Sequence, residues 1–243
     1  TYYLGDLNPA MPFRMSKPAF GILYRQNFNT RISLRAHGIR GKVAGDDAVS
    51  KENPERNLNF ESVITEAGLQ LEINFFEYFI GSKMHSITPY IFGGASVFFF
   101  DPYGNVMGEK VELQPLATEG QGTASYPDRN PYNLYAFSMP FGLGVKYSVN
   151  KLIGVGAEWG MRKTTTDYLD DVSQTYYLNL AGVDPATVSV TELASDPLLT
   201  HDAGMQRGNS RNTDWYSFAG LSVTVKIRML SKERCLDHQR QGY

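Results

Sequence analysis

The chain has 243 residues, of which 42% are hydrophobic and 20% charged, and its formal net charge is −2. This length suits one domain with a large framework, and the near-neutral charge argues against a nucleic-acid-binding protein. No run approaches the ~18 consecutive apolar residues of a membrane helix. A membrane β-barrel does not need such a run, because alternation dilutes its hydropathy. The single cysteine, Cys235, excludes an internal disulfide and a cysteine-rich metal site.

Eight segments in chain order have the pattern of β-strands. Because Thr1 opens inside the first of them, we expect a further segment upstream of it. The predicted strands are Thr1 to Gly5 (the end of one), Ala19 to Asn27, Thr30 to Val43, Leu58 to Phe76, Ile87 to Phe100, Leu134 to Val149, Leu152 to Thr164, and Trp215 to Leu230.

These strands alternate between an apolar face and a small or polar face. Within 63–75, 137–149, 153–161 and 215–229, no charge falls on the apolar parity. The strands exceed the usual five or six residues, and a tilted strand needs roughly nine to eleven to cross a bilayer. A soluble barrel or sandwich also alternates, and alternation alone leaves that reading open. The residues predicted to face lipid are Leu69, Leu71, Phe141, Leu143, Val155, Trp159, Leu221 and Val223.

The connections alternate in length. Residues 27–29, 150–151 and 77–86 form short links, whereas 6–18, 44–57, 101–133 and 165–214 form long loops. Short turns at one end and long loops at the other are typical of an outer-membrane barrel. The sequence therefore predicts an all-β, eight-stranded antiparallel transmembrane β-barrel over 1–230. The long loops would be extracellular, and the tail 231–243 would be periplasmic.

Charged residues of both signs occupy the opposite parity, which predicts an interior network of ion pairs. An eight-stranded barrel is only wide enough inside for its own side chains, so we expect a plugged barrel and not a conducting pore. Pro140 removes a ladder donor in mid-strand, so a bulge is expected there. The predicted inward residues are Arg35, Glu66, Glu72, Lys146, Glu158, Arg162, Lys226 and Arg228.

Signals for catalysis, cofactors or metals are weak. The four histidines are scattered, and Asp167, Asp170 and Asp171 lack the spacing of a calcium loop. An outer-membrane enzyme acting on lipid A would need a Ser–His pair on an outward patch, but parity places His37 inside. No catalytic residue, cofactor site or metal site is predicted, and neither nucleic acid nor a small-molecule substrate is expected as a partner.

The tail contains a candidate partner contact. Cys235 would lie in the oxidising periplasm, where an unpaired cysteine suggests a bond to another protein. Arg234, His238 and Arg240 could add polar contacts around it. An inert free thiol is an equally open alternative.

Six strings carry a resemblance to a known family. They are Thr1-Tyr-Tyr-Leu-Gly-Asp6, Arg56-Asn-Leu-Asn-Phe60, Pro89-Tyr-Ile-Phe-Gly-Gly94, Leu113-Gln-Pro-Leu-Ala-Thr-Glu-Gly-Gln-Gly122, Pro140-Phe-Gly-Leu-Gly-Val-Lys146, and Glu158-Trp-Gly-Met-Arg-Lys-Thr-Thr-Thr-Asp-Tyr-Leu-Asp-Asp171. With them the chain resembles the PorG family of Bacteroidetes outer-membrane proteins, from its first residue to the last predicted strand.

The resemblance implies a component of the type IX secretion system in the outer membrane of a Gram-negative bacterium. Its partners would be the lipid bilayer, the PorK lipoprotein and the periplasmic PorK–PorN ring, which it would anchor or position for protein export. In some relatives that system supports gliding. The family has no catalytic residues to carry over. The alternatives are a free-standing small barrel, serving as an adhesin or membrane stabiliser, and the lipid A-modifying enzyme.

Overall fold

The computed structural model describes residues 1–9 and 11–227, and these form an all-β protein. Two short helices, α1 (Asp47–Ser50) and α2 (Val190–Ser195), interrupt the loops. The described strands are β1 (Tyr2–Leu4), β2 (Ala19–Asn27), β3 (Ile32–Asp46), β4 (Asn59–Asn74), β5 (Ile87–Phe99), β6 (Pro102–Val106), β7 (Glu109–Glu112), β8 (Tyr135–Ser148), β9 (Ile153–Thr164) and β10 (Trp215–Val225).

All ladders in the described part of the chain are antiparallel, in the order β1-β10-β9-β8-β5-β4-β3-β2. The all-β antiparallel prediction is confirmed, and the predicted strands overlap these eight. The last one, predicted from Trp215 to Leu230, is observed as Trp215–Val225, and 228–230 lie outside the described residues. The predicted count is wrong, because residues 1–9 and 11–227 already form ten strands. The extra pair, β6 and β7, is a hairpin inside the predicted loop 101–133, and β6 also pairs with β4. Its turn residues Met107 and Gly108 both have positive φ, the geometry that favours a two-residue hairpin.

The long strands follow from local sequence. Alternating apolar and polar residues suit a pleated sheet with two different faces. Pro140 does not produce the expected bulge. The β5–β8 ladder is interrupted beside Pro140. The register is nevertheless the same on both sides of the interruption, with Gly93 opposite Phe141 and Ser96 opposite Ser138. The missing N–H thus removes pairing without inserting a residue.

The sheet is strongly curved. The side chain of Arg35 on β3 reaches Glu158 on β9, and Tyr216 on β10 reaches Glu66 on β4, although several strands separate these pairs in the sheet. No ladder joins β2 to β1 or β10 within the described ranges. The curved sheet therefore retains two free ends that face one another across a gap.

The apolar core lies at the end of the sheet that carries the long loops. It combines side chains from strand ends with side chains from the loops, and so attaches the loops to the sheet. Its members are Tyr3, Leu7, Val43, Leu58, Phe60, Ile64, Phe98, Phe100, Val106, Leu113, Ala136, Leu169, Val172, Ala194, Tyr216 and Phe218. Neither of the described helices is long or apolar enough to cross a bilayer.

Candidate functional site

The outward face of the sheet is an exposed apolar belt. The eight residues predicted to face lipid are between 38% and 89% exposed, with Leu221 the most exposed and Val155 the least. Leu143 lies between Ile91 and Trp159 on the neighbouring strands, so the belt is continuous across β5, β8 and β9. Soluble monomers rarely expose contiguous apolar patches larger than a few hundred Å². The belt is therefore a surface built to meet an apolar medium or a partner.

The opposite face buries a network of charges, and Glu72 is one of its centres. Its carboxylate accepts hydrogen bonds from Arg25 Nε at 2.7 Å and from Lys146 Nζ at 2.5 Å. Arg35 Nη1 lies 3.2 Å from the same carboxylate. Glu72 is fully buried, so these three cations replace the water that an ionised carboxylate would otherwise bind.

A second part of the network surrounds Glu66. The hydroxyl of Tyr216 donates to Glu66 at 2.6 Å, and His37 Nε2 lies 2.6 Å from its other oxygen. Arg162 Nε lies 3.4 Å from Glu66. Arg35 extends the first part to a further carboxylate, because it also donates to Glu158 at 2.5 Å.

Six of the eight residues predicted to point inward thus form ion pairs on this face, in two clusters: Arg35, Glu72, Lys146 and Glu158 in the first, Glu66 and Arg162 in the second. Lys226 joins neither cluster. Its ammonium donates to the carbonyl of Ile80 at 3.1 Å and lies over the ring of Phe79. Arg228 lies outside the described residues. Charged hydrogen bonds between strands that are distant in sequence hold the curved sheet in one shape.

The four long loops fold together into a cap at one end of the sheet, and Arg56 joins three of them. Its guanidinium donates to Asp47 at 2.7 and 2.8 Å within its own loop. It also donates to the carbonyl of Arg207 at 2.6 Å and to the carbonyl of Asp6 at 2.8 Å. Asp46 caps α1 by accepting from the backbone of Ala48, which places Asp47 beside Arg56.

Arg207 and Glu119 join the remaining loop to the cap. Arg207 Nη1 donates to Glu119 at 3.1 Å and to the carbonyl of Asp171 at 2.6 Å. Glu119 also accepts from the backbone N–H groups of Ser173 and Gln174. Both Arg207 and Glu119 are buried. Removing either side chain would therefore leave the charge of the other uncompensated in the cap.

Several carboxyl groups in the cap resist ionisation. Burial raises the pKa of Asp167 to about 7. Burial also raises the pKa of Asp171 to about 6, although Arg207 works in the opposite direction. Burial and then the charge of Asp6 raise the pKa of Asp170, and burial and then Asp170 raise that of Asp214.

The hydroxyl of Tyr3 contacts both Asp170 and Asp214, the latter at 3.0 Å. The single proton of this hydroxyl group can form a full hydrogen bond to only one of the two carboxylates. A protonated carboxyl in this pair satisfies the contact, which agrees with their raised pKa values.

Sequence reasoning missed this cap, although signals for it were present. Glu119, Asp170 and Asp171 lie inside two of the strings that carry the family resemblance, and Arg56 begins another. In the structure, the acidic residues of this loop bind hydroxyl groups within the cap. Asp171 accepts from Thr118 and Tyr132, and Asp170 accepts from Tyr3. No group of His, Cys, Asp and Glu in the described ranges could hold a metal ion.

The tail residues singled out as a partner contact, Arg234, Cys235, His238 and Arg240, lie outside the described residues.

Comparison with known proteins adds one finding. A family model described as a domain of unknown function (DUF6089) matches residues 1–180 of the 243 in the chain. No curated protein and no solved structure matches the chain.

Proposed function

We propose that this chain, which belongs to the DUF6089 family of domains of unknown function, is an outer-membrane β-barrel without enzymatic activity. Its role would be to anchor or position the periplasmic PorK–PorN ring of a type IX secretion system. The barrel would be built on the eight strands of the main sheet, with the hairpin β6–β7 belonging to its extracellular cap.

One observation carries the membrane part of this proposal, namely the inverted distribution of polarity. Phe137, Phe141 and Leu143 are exposed along β8, whereas Lys146 on the same strand is buried among charged partners. In water this arrangement exposes apolar area and buries charge, both of which are unfavourable. In a bilayer it is the expected arrangement of a transmembrane barrel, with apolar residues outside and polar residues inside.

Strand length and the sorting of connections give further support. The central strands β3, β4, β5, β8 and β9 have between 12 and 16 residues, enough for a tilted membrane crossing. In this antiparallel order, the links 28–31, 75–86 and 149–152 share one end of the sheet. The four loops of the cap share the other. An outer-membrane barrel has its short turns in the periplasm and its longer loops outside.

The secretion role is supported by the resemblance of the six strings to the PorG family. Physically, the role is that of a tether. The belt resists withdrawal from the bilayer, and the buried charge network keeps the barrel wall rigid. The short-turn end would then face a ring in the periplasm, on the side from which the chain leaves β10.

The enzymatic alternative is less well supported. His37 is buried and contacts Glu66, so it is not available to activate a serine on the outward face.

Two experiments test the proposal. First, the tagged protein is followed through membrane fractionation, with an unrelated outer-membrane barrel as control. Recovery in the outer-membrane fraction, released only by detergent, is expected, and a water-extractable protein would refute the membrane assignment.

Second, the detergent extract is purified on the tag and probed for PorK and PorN. Their co-purification, absent from the control barrel, is expected. A monomer without partners would favour the free-standing barrel, and shortened lipid A in cells that express the protein would favour the enzyme.

A further inference from the structure

The curved sheet ends at β2 on one side and, beyond the three residues that pair with β1, at β10 on the other, and these two ends border an open seam. Two cavities of about 400 and 480 Å³ lie along it, the first lined by Ala19–Leu23 and Phe218–Val223, the second by Leu23–Asn27 and Val223–Ile227. The side chains that project from both borders are among the most exposed in the protein. Phe20 and Ile22 on β2 are 81% and 82% exposed, and Leu221 on β10 is 89% exposed.

The borders also carry unpaired backbone groups. Phe28 donates to Ile32 across the turn to β3, so the even-numbered residues of β2 bond to β3. Odd-numbered residues from Ala19 to Asn27 then direct their N–H and C=O groups into the seam. A free sheet edge of this length is a template for another strand.

β1 already occupies the end of the seam that lies next to the long loops. On one side it pairs with β10, with Tyr2 opposite Ser217 and Tyr3 opposite Tyr216. On the other side Thr1 and Lys17 exchange both backbone hydrogen bonds, at 2.7 and 2.9 Å. Thr1 is therefore the point at which one strand bridges the two ends of the sheet.

We propose that the seam is filled by an extended strand of about nine residues, covalently continuous with Thr1 and antiparallel to both β2 and β10. The two registers agree. Extending the β10 pairing places the third residue before Thr1 opposite Leu221, and extending the Thr1–Lys17 pair places it opposite Phe20. Both of these neighbours are exposed on the outward face, so the two independent alignments assign the same side to each residue.

The seam also sets the chemistry of the strand. Its odd positions, counted back from Thr1, lie between outward apolar side chains and should be apolar. Its even positions face inward beside Gly21 and Ser222, where Arg35 and Glu158 line the cavity, and should be small or polar. The tail 228–243 fits this pattern poorly, because Lys232, Glu233 and Arg234 place charges on both parities.

Disulfide trapping tests the proposal in protein expressed from the complete coding sequence, in a Cys235→Ser background. Cysteine replaces the third residue before Thr1 and is paired with Phe20→Cys in one variant and Leu221→Cys in another. Both bonds should form on mild oxidation, because neighbouring strands bring Cα atoms within the ~4.4–6.8 Å that a disulfide spans. A control with cysteine at the fourth residue before Thr1, which points to the other face, should cross-link far less with either partner.

The double variant Phe20→Cys/Leu221→Cys distinguishes the alternatives. With a strand between them these Cα atoms are about 9.5 Å apart, too far for a disulfide. A direct bond between them would show that β2 and β10 close on each other and would overturn the proposal. So would failure of the first two bonds in protein shown to be folded by circular dichroism, or a mature protein whose first residue is Thr1.

Discussion

Leu143→Arg tests the medium around the belt most directly. Leu143 lies near the middle of β8, is 56% exposed, and has Ile91 and Trp159 as cross-strand neighbours. An arginine at the middle of a bilayer costs about 2–4 kcal/mol on a barrel surface. The same substitution at an exposed site in water changes stability by no more than about 0.5 kcal/mol. If hydrocarbon surrounds the belt, Leu143→Arg should therefore lower the equilibrium constant for folding by about 30- to 700-fold.

The assay is urea-dependent folding into lipid vesicles, followed by circular dichroism and by the mobility of unheated samples on gels. Leu198→Arg is the matched control, because Leu198 is 44% exposed but belongs to the cap. Leu143→Ala measures the loss of size without the charge. Equal midpoints for Leu143→Arg and Leu198→Arg, within about 0.5 kcal/mol, would refute the reasoning that hydrocarbon surrounds the belt.

Further predictions concern the charge network and the cap. Glu72→Gln should destabilise the protein by about 3–5 kcal/mol because it leaves buried cations uncompensated. Glu61→Gln, whose carboxylate is surrounded by exposed lysines, should cost no more than about 1 kcal/mol; equal losses in urea titrations would contradict the buried network. Because the pKa of Asp167 is raised to about 7, the folded state holds a proton that the unfolded chain releases above about pH 4. The stabilisation that this bound proton gives to the folded state therefore falls as pH rises towards 7. The free energy of unfolding of Asp167→Asn, measured relative to that of the wild type, should therefore increase as pH is raised from 5 to 8. A difference that does not change with pH would count against this. Arg207→Gln should open the cap to limited proteolysis while strand content stays unchanged, whereas exposed Arg211→Gln should not. The purified protein should show no steady single-channel current in planar bilayers, since charged side chains occupy the interior.

Much of the fold could be predicted because strand information is local. The period of two along each strand is written into neighbouring residues, so the parity that places Leu143 outward and Lys146 inward could be recognised without knowledge of any other strand. The same pattern delimited the eight strands of the main sheet to within a few residues. The hairpin β6–β7 was missed because its strands are too short for alternation to stand out.

The amino-acid sequence by itself thus determined which residues form strands and which face of each strand is apolar. Only the tertiary structure decided which charges meet, as Arg35 does with Glu158 from β9 and Arg56 does with the carbonyl of Arg207 from a distant loop. Such pairings depend on how far the sheet curves and how four loops pack against one another. Those are properties of contacts between residues far apart in the chain, which no local pattern records.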